Sequence, residues 1–512
     1  MKRDGQNTSL WQHLKNYEPV QIAGLDSFYD VVIVGGGMTG VVTAFMLQQT
    51  GKQCLIVEAY NLGFGTTGGT TAHLNTMMDT PYSTITKNFG IEASRRIAQG
   101  ASDVISFIKD QSEKFNIDCE FEYTSAFLFS QTSEETEQLQ ELYNASRDAG
   151  LALEYVNQIP ISASFEKAIR IGGQGKFHPL KYLFAMAREY ENLGGHIMIN
   201  CKVDNAQQVD GEVHISTTEG EIRTKNIIYA THIPPGINLL HLRCAPWRSY
   251  ALALKLENDA YPDGLVYDLK DPYYYYRTHV VDGEKYVIAG GEDHKTGEEE
   301  NTDKPFLKLR AHAERIFKIK QVSHEWSSQY FESADGLPYI GILPGNGDNV
   351  YVATGFGGNG MIYSHMAAME LASKIELNES AFYNLFAPSR VKPVAAFDNF
   401  VDHNKDVVKH FLGKFFGSEK LEALAGIAPG EGRVVKFEGH SIAVSKDLHG
   451  KVYAVSSVCT HMGCHVSWNS TEASWDCPCH GARYSMSGRV LTGPATENLQ
   501  TVELTSMIEA KH

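Results

Sequence analysis

The pattern of apolar and polar positions changes character twice along the chain. Tyr29-Asp-Val-Val-Ile-Val34 reads as a strand, Gly35-Gly36-Gly37-Met38-Thr39-Gly40 as a tight turn, and the stretch to about Gln49 as a helix. A second strand, Cys54-Leu-Ile-Val57, ends at Glu58. Ile97, Ala101, Val104, Ile105 and Ile108 recur at helical spacing, the signature of a core-packed helix face. Residues 118–129 turn strand-like, alternating strands lead from Gly194-Gly195 to Ala230-Thr231, and tyrosine-bearing strands fill about 248–291. Past Pro388-Ser-Arg-Val-Lys-Pro393 the chain becomes polar and helical, a connector over 388–424. From Gly432 short β-runs return at 434–437, 441–444 and 452–455, predicting a small all-β domain over 425–508 behind an α/β unit over 1–387. No internal repeat interrupts this order.

Composition narrows the picture. A chain of 512 residues with 43% hydrophobic content can bury several cores. The formal net charge of -16, without a polybasic stretch, argues against a nucleic-acid partner. The uncharged run Val31–Gly51 is broken by three glycines and carries Thr39, Thr43, Gln48 and Gln49, so it reads as strand, turn and helix rather than a membrane span. The N-terminus lacks the apolar core of a signal peptide, and Cys54, Cys119, Cys201 and Cys244 are scattered like free thiols of a reducing compartment. These features predict a cytoplasmic or membrane-peripheral protein with no transmembrane segment.

The first glycine turn follows a strand, opens a helix and has an acid, Glu58, 18 residues after Gly40. That is the arrangement in which glycines let a pyrophosphate approach a helix N-terminus while the acid accepts hydrogen bonds from a ribose. A hydroxyl-rich loop, Gly63-Phe-Gly65-Thr66-Thr67-Gly68-Gly69-Thr70-Thr71-Ala72, comes next. A second glycine pattern, Gly355-Phe-Gly357-Gly358-Asn359-Gly360-Met361, opens a helix to about Glu376, but no strand ending in an acid follows it. It suits a helix N-terminus aimed at a flavin's carbonyl edge better than a second nucleotide site.

At these residues, with Asp335-Gly-Leu-Pro-Tyr-Ile-Gly341, the chain resembles the D-amino-acid oxidase-type flavoproteins, which include glycine, sarcosine and glutamylputrescine oxidases. The resemblance spans roughly 28–385. It implies an α/β FAD-binding Rossmann-like domain (about 28–95, 150–235 and 326–385) with an interleaved mixed-sheet substrate domain (about 96–149 and 245–325). It also implies FAD contacts at Gly35, Gly37, Met38, Thr39, Gly40, Glu58, Thr66, Thr67, Thr71, Val203, Thr231, Gly358, Asn359, Gly360 and Met361. His232 stands where the family usually has glycine after Ala-Thr. Gly69 stands where some relatives attach FAD through a histidine, so FAD is expected to be non-covalent.

The resemblance further implies oxidation of a C–N bond of an amine or amino-acid-like substrate by hydride transfer. Members that use amino acids commonly carry an arginine before the Asp-Gly of this segment, yet 326–335 contains none. Arg248 or Arg277 is then the candidate carboxylate anchor, and His73, Arg248, Tyr276 and Tyr330 the candidate catalytic set. Glu332 offers an acid to a polyamine-like cation, while His178, just before Pro179, reads as a capping or surface histidine.

Near the C-terminus stand two boxes, Cys459-Thr-His461-Met-Gly-Cys464 and Cys477-Pro-Cys479-His480-Gly481. Two thiolates and two imidazoles suit a 2Fe–2S cluster, and zinc accepts the same donors. The second cysteine pair favours the cluster, since Cys464 and Cys479 stand where a disulfide could pin the two loops. Both boxes resemble the disulfide-bearing Rieske domain of cytochrome bc-type complexes, with Cys459, His461, Cys477 and His480 as ligands. The family's usual serine two residues after the second histidine is Ala482 here, implying a lower potential, while Tyr484 remains. A flavin gives two electrons and such a cluster carries one, so the fusion predicts single-electron delivery to an acceptor protein or a quinone. An NAD(P)H-dependent flavin/Rieske reductase and a Rieske-type oxygenase component are the alternatives.

Overall fold

The computed structural model describes residues 5–21, 28–390, 419–420, 427–437 and 440–502. Most of the expected connector over 388–424 lies outside the described residues. The first half of the chain builds two large sheets. In one, strands Tyr339–Ile342, Val350–Thr354, Gly220–Tyr229, Phe28–Val34, Cys54–Val57 and His196–Met198 lie side by side. Phe28–Val34 pairs in parallel with both Gly220–Tyr229 and Cys54–Val57, and Val203–Val209 with Glu212–Thr217 extends the sheet as an antiparallel flap. Helices Met38–Gln49 and Gly360–Leu377 pack together on one face, burying Val41, Val42, Phe45, Ile362 and Met366. Strands buried on both faces need the near-continuous apolar runs seen at Val31–Val34 and Cys54–Val57.

The other sheet runs Ile319–Ser333, Cys244–Leu256, Glu284–Lys295, Tyr275–Val281, Leu265–Tyr267, Glu122–Ser130, Lys167–Lys176 and His73–Leu74, with Leu153–Val156 paired to Lys167–Lys176. It draws strands from segments expected in the nucleotide half: 153–156 and 167–176 belong here, as does the 326–333 part of Ile319–Ser333. Local alternation marks a strand but not its neighbours, and these pairings close over long sequence separations. The helix predicted around 97–108 spans Ile91–Lys114 and buries the expected face.

Among the described residues the C-terminal domain forms two small sheets, antiparallel except for the parallel pairing of Glu419–Lys420 with Gly432–Phe437. One contains His440–Lys446 and Val452–Ser456 beside Gly432–Phe437; the other contains Ser467–Asn469, Ser474–Asp476, Arg483–Ser485 and Val490–Thr492. Both Cys–His boxes lie on loops at strand ends, and the domain sits on the flavin half through buried polar contacts. No helix among the described residues is long and apolar enough to cross a membrane.

Candidate active site and metal centre

The first glycine turn is shaped by close packing. A Cβ on Gly35, at φ +113°, would lie 2.5 Å from the Ala230 carbonyl oxygen, and one on Gly40 would collide with the carbonyl of Gly35. Glu58 folds back on the turn, accepting from Gly36 N at 2.7 Å and Tyr60 N at 2.8 Å. Met38 N donates to Thr67 Oγ1 at 3.1 Å, tying the Thr-Gly loop to the helix start beside Gly37 and Thr39. Thr231 closes the same turn by donating to Ile233 O. His232, in the position expected for glycine, stands at φ +71°, the left-handed region that glycine fills at no steric cost. Its ring is held edge-on to Phe331, with Nδ1 3.3 Å from Thr66 Oγ1. Val203 opens the strand Val203–Val209 in the antiparallel flap of this sheet.

Beyond the turn, a cavity lies between the two sheets. Its walls come from Thr66, Thr71 and His73 of the loop, from Gly357 to Met361 at the start of the helix, and from strand residues Tyr267, Tyr275, Asp293 and Tyr330. Added Cβ atoms on Gly357 and Gly360 would meet no protein atom, so glycine leaves the cavity side open there. Asn359 makes no side-chain cap at the helix N-terminus, so its first N–H groups are available to a carbonyl edge. These are the features a flavin ring requires, and the residues fit FAD.

Of the four expected catalytic residues, two reach this cavity. His73 does: Nδ1 is 2.6 Å from the Tyr267 hydroxyl and Nε2 is buried without a partner. Burial, with Arg277 and Lys176 behind it, holds His73 neutral, well below the usual imidazole range. Tyr330 also lines the wall and donates to Asp293 Oδ2 at 2.8 Å. Arg248 does not reach it. It is buried at the joint with the C-terminal domain, donating to Asp476 Oδ2 at 3.2 Å and Ser327 Oγ at 2.8 Å, so its charge is spent there. Tyr276 points away, into the core with Phe317 and Phe306; strand alternation gives the cavity to Tyr275 instead. The other arginine, Arg277, is fully buried and donates to the carbonyls of Ala72 and Phe177. His178 caps the helix Pro179–Asn192 by accepting from Lys181 N, though it is buried against Trp11 rather than exposed.

Sequence reasoning missed the acids. Asp79 and Asp293 both line the cavity, and burial pushes each up to about 6. Burial pushes nearby Glu332 up to about 7, with Asp79 and Asp293 adding to the rise and Lys295 opposing it. Asp79 precedes Pro81 in an apparently ordinary loop, and Asp293 ends a strand; neither carries a local motif.

At the C-terminal boxes Cys459 and Cys477 are buried free thiols, and Cys464 and Cys479 form a disulfide between the loops. The Cys477 sulfur lies within 4.8 Å of both disulfide sulfurs, which as oxidised atoms are not ligands. Tyr484 Oη is 3.1 Å from Cys459 Sγ, placed to donate to a thiolate. His461 Nδ1 is buried without a partner, free for iron, while Nε2 lies 3.1 Å from both Gly236 O and His241 Nδ1. The Pro234 carbonyl, 2.9 Å from His241 Nε2, can only accept, so that nitrogen carries the proton and His241 Nδ1 accepts from His461. This fixes the tautomer that leaves Nδ1 to a metal. His480, also buried, precedes Gly481, whose carbonyl accepts from Gln329 Nε2 at 2.9 Å. The donor set fits a 2Fe–2S cluster.

The comparisons agree with both halves. Residues 30–374 match the family model for FAD dependent oxidoreductases, and residues 420–503 match the Rieske [2Fe-2S] domain. The Rieske 2Fe-2S iron-sulfur protein YhfW of Bacillus subtilis (strain 168) is 32% identical over 483 residues, 94% of each chain. Gamma-glutamylputrescine oxidoreductase of Escherichia coli (strain K12) is 21% identical, covering 72% of this chain and 88% of that one. The crystal structure of glycine oxidase from Geobacillus kaustophilus superposes with a TM-score of 0.61 at 19% identity, covering 72% of this chain and 100% of that one. The chain belongs to the FAD dependent oxidoreductase family of amino-acid oxidase type, and carries a C-terminal Rieske 2Fe–2S domain.

Proposed function

We propose that the protein dehydrogenates a C–N bond in the cavity and delivers the electrons singly, through the Rieske domain, to an external acceptor protein or quinone. The observation that carries this reading is the shared wall between the two centres. Gln329 lines the cavity, takes a hydrogen bond from Thr66 on its backbone carbonyl, and reaches with its side chain to the peptide next to His480. Bound here, FAD would supply a hydride acceptor for the carbon bearing the nitrogen, which leaves an imine and a proton, and a 2Fe–2S cluster would supply one-electron transfer. The chain's own residues hold and dry the site. Trp326, buried and anchored to Gly69 O, and Tyr250 close the wall against water. Neutral His73, with its unpartnered Nε2, is placed to hold or move a proton. Gly69 keeps the loop free of a histidine at the attachment position, in line with non-covalent FAD.

The name of the Escherichia coli relative, an oxidoreductase of an amine conjugate, supports the C–N chemistry. Anaerobic mixing of the holoprotein with amines, amino acids and NAD(P)H tests it. Flavin bleaching by a C–N compound, followed by the reduced-cluster EPR signal, is expected; bleaching by NADPH alone overturns the reading.

A further inference from the structure

The cavity's charge is one-sided. Asp79 and Asp293 line it and both add to the rise of nearby Glu332, and no lysine or arginine is among the lining residues. Lys295 stands on the Glu332 side without lining the cavity, and three other nearby cations are committed elsewhere. Arg248 is spent on Asp476, Arg277 on two backbone carbonyls beneath the Trp11 ring, and Lys176 pairs with Glu122 at 3.2 Å. Asp293 accepts from Tyr330 on Oδ2, while Oδ1 is buried with only the Ser249 hydroxyl to oppose its burial and no cation on it.

Around these acids stands an aromatic box. The Tyr273 and Tyr275 rings are 5.8 Å apart and those of Tyr267 and Tyr275 are 6.4 Å apart, and Tyr330, hydrogen-bonded to Asp293, lines the same cavity from the strand Ile319–Ser333. Tyrosine faces attract cations, and do so more strongly once water is removed. A carboxylate entering here would be desolvated beside two acids with no cation to neutralise it.

We infer that the substrate enters as a cation without an α-carboxylate: an amine whose positive charge is held by Asp293 and enclosed by Tyr273, Tyr275 and Tyr330. This rests on the dehydrogenase reading above and narrows it, setting the protein apart from relatives that grip an amino-acid carboxylate with arginine. Asp293 positions and neutralises the ammonium; Asp79 and Glu332 deepen the field.

Redox-inert probes test the charge rule separately from turnover. The FAD- and cluster-loaded protein is titrated with butyltrimethylammonium and, in parallel, with butanoate, following the flavin absorbance band. The cation is expected to perturb the band saturably and the anion not to. D293N should raise the cation's half-saturation at least about tenfold, and D293E should restore part of it. Reduction is then compared for 1,4-diaminobutane and ornithine, which differ only by the carboxylate; the diamine should bleach the flavin at the lower concentration. Tighter binding of butanoate, no perturbation by either ion, an unchanged half-saturation in folded D293N, or preference for ornithine overturns the inference. Preference for ornithine would leave the C–N dehydrogenase reading standing. NADPH bleaching without any C–N substrate would remove that reading, while the inert ions would still report the cavity's charge preference.

Discussion

Two buried carboxylates, Asp293 in the cavity and Asp476 at the domain joint, live under opposite rules. Burial works to raise both. At Asp476, Arg483 and Arg248 with Asn469 and Ser474 overcome it and hold the group below the usual carboxylate range. At Asp293 only Ser249 and Tyr330 oppose burial, Asp79 adds to it, and the group is pushed up to about 6. The joint is electrostatically complete within the chain. The cavity is not, and the cationic ligand proposed above would complete it.

Substitution should separate the two acids most strongly in stability. D476N leaves Arg248 and Arg483 buried with less compensation and should cost about 3–5 kcal/mol, seen as a lower Tm of the holoprotein. D293N replaces a carboxylate that folding disfavours, and should raise stability by about 1–2 kcal/mol above pH 6. Equal losses would erase the distinction.

pH sharpens the same contrast. A carboxylate whose folded pKa lies above its unfolded value makes the folded state bind more protons between about 4 and 6. The contribution of Asp79 and Asp293 to stability therefore falls as pH rises through that window, whereas the stability given by Asp476 is lost as pH falls through its lowered range. Cation binding should run with the cavity acids. Below pH 6 half-saturation should rise, approaching about tenfold per pH unit for a single required carboxylate, and flatten above pH 7 once Glu332 has also ionised. A binding titration across pH 5–8 checks this.

The joint should matter for electron exit rather than for substrate. Gln329→Leu removes the donor to Gly481 and should slow cluster reduction several-fold relative to flavin bleaching by substrate, read by stopped-flow absorbance and EPR. The smallest effect is expected at Ala482, buried beside the Cys477 loop. Ala482→Ser supplies one hydrogen bond worth about 1 kcal/mol, or about 40 mV for one electron, and should raise the cluster potential in a redox titration.

What could be read from sequence followed from how local each signal is. The glycine turn, the acid at Glu58 and both Cys–His boxes are local signals, so the nucleotide fold and the Rieske domain were legible without coordinates, down to the Cys464–Cys479 disulfide. The substrate wall is assembled from strands far apart in the chain. Tyr273 to Tyr276 announces an aromatic strand, but the facing residues depend on pairing, and Tyr275 rather than Tyr276 looks inward. Arg248 looked like a carboxylate anchor because its partner, Asp476, lies 228 residues away in another domain. Asp79 and Asp293 have no motif because their meaning comes from a cavity lining without lysine or arginine, which only the fold assembles. His241 likewise gains its role only when the domain join sets it against His461.

The most direct measurement follows both cofactors in the intact protein. Holoprotein at several concentrations is mixed anaerobically with a cationic amine, and flavin bleaching and the reduced-cluster EPR signal are recorded in rapid-freeze samples. The shared wall predicts that cluster reduction follows flavin reduction at a rate independent of protein concentration. A rate that rises in proportion to protein concentration, or a cluster that stays oxidised beside a bleached flavin, would contradict it.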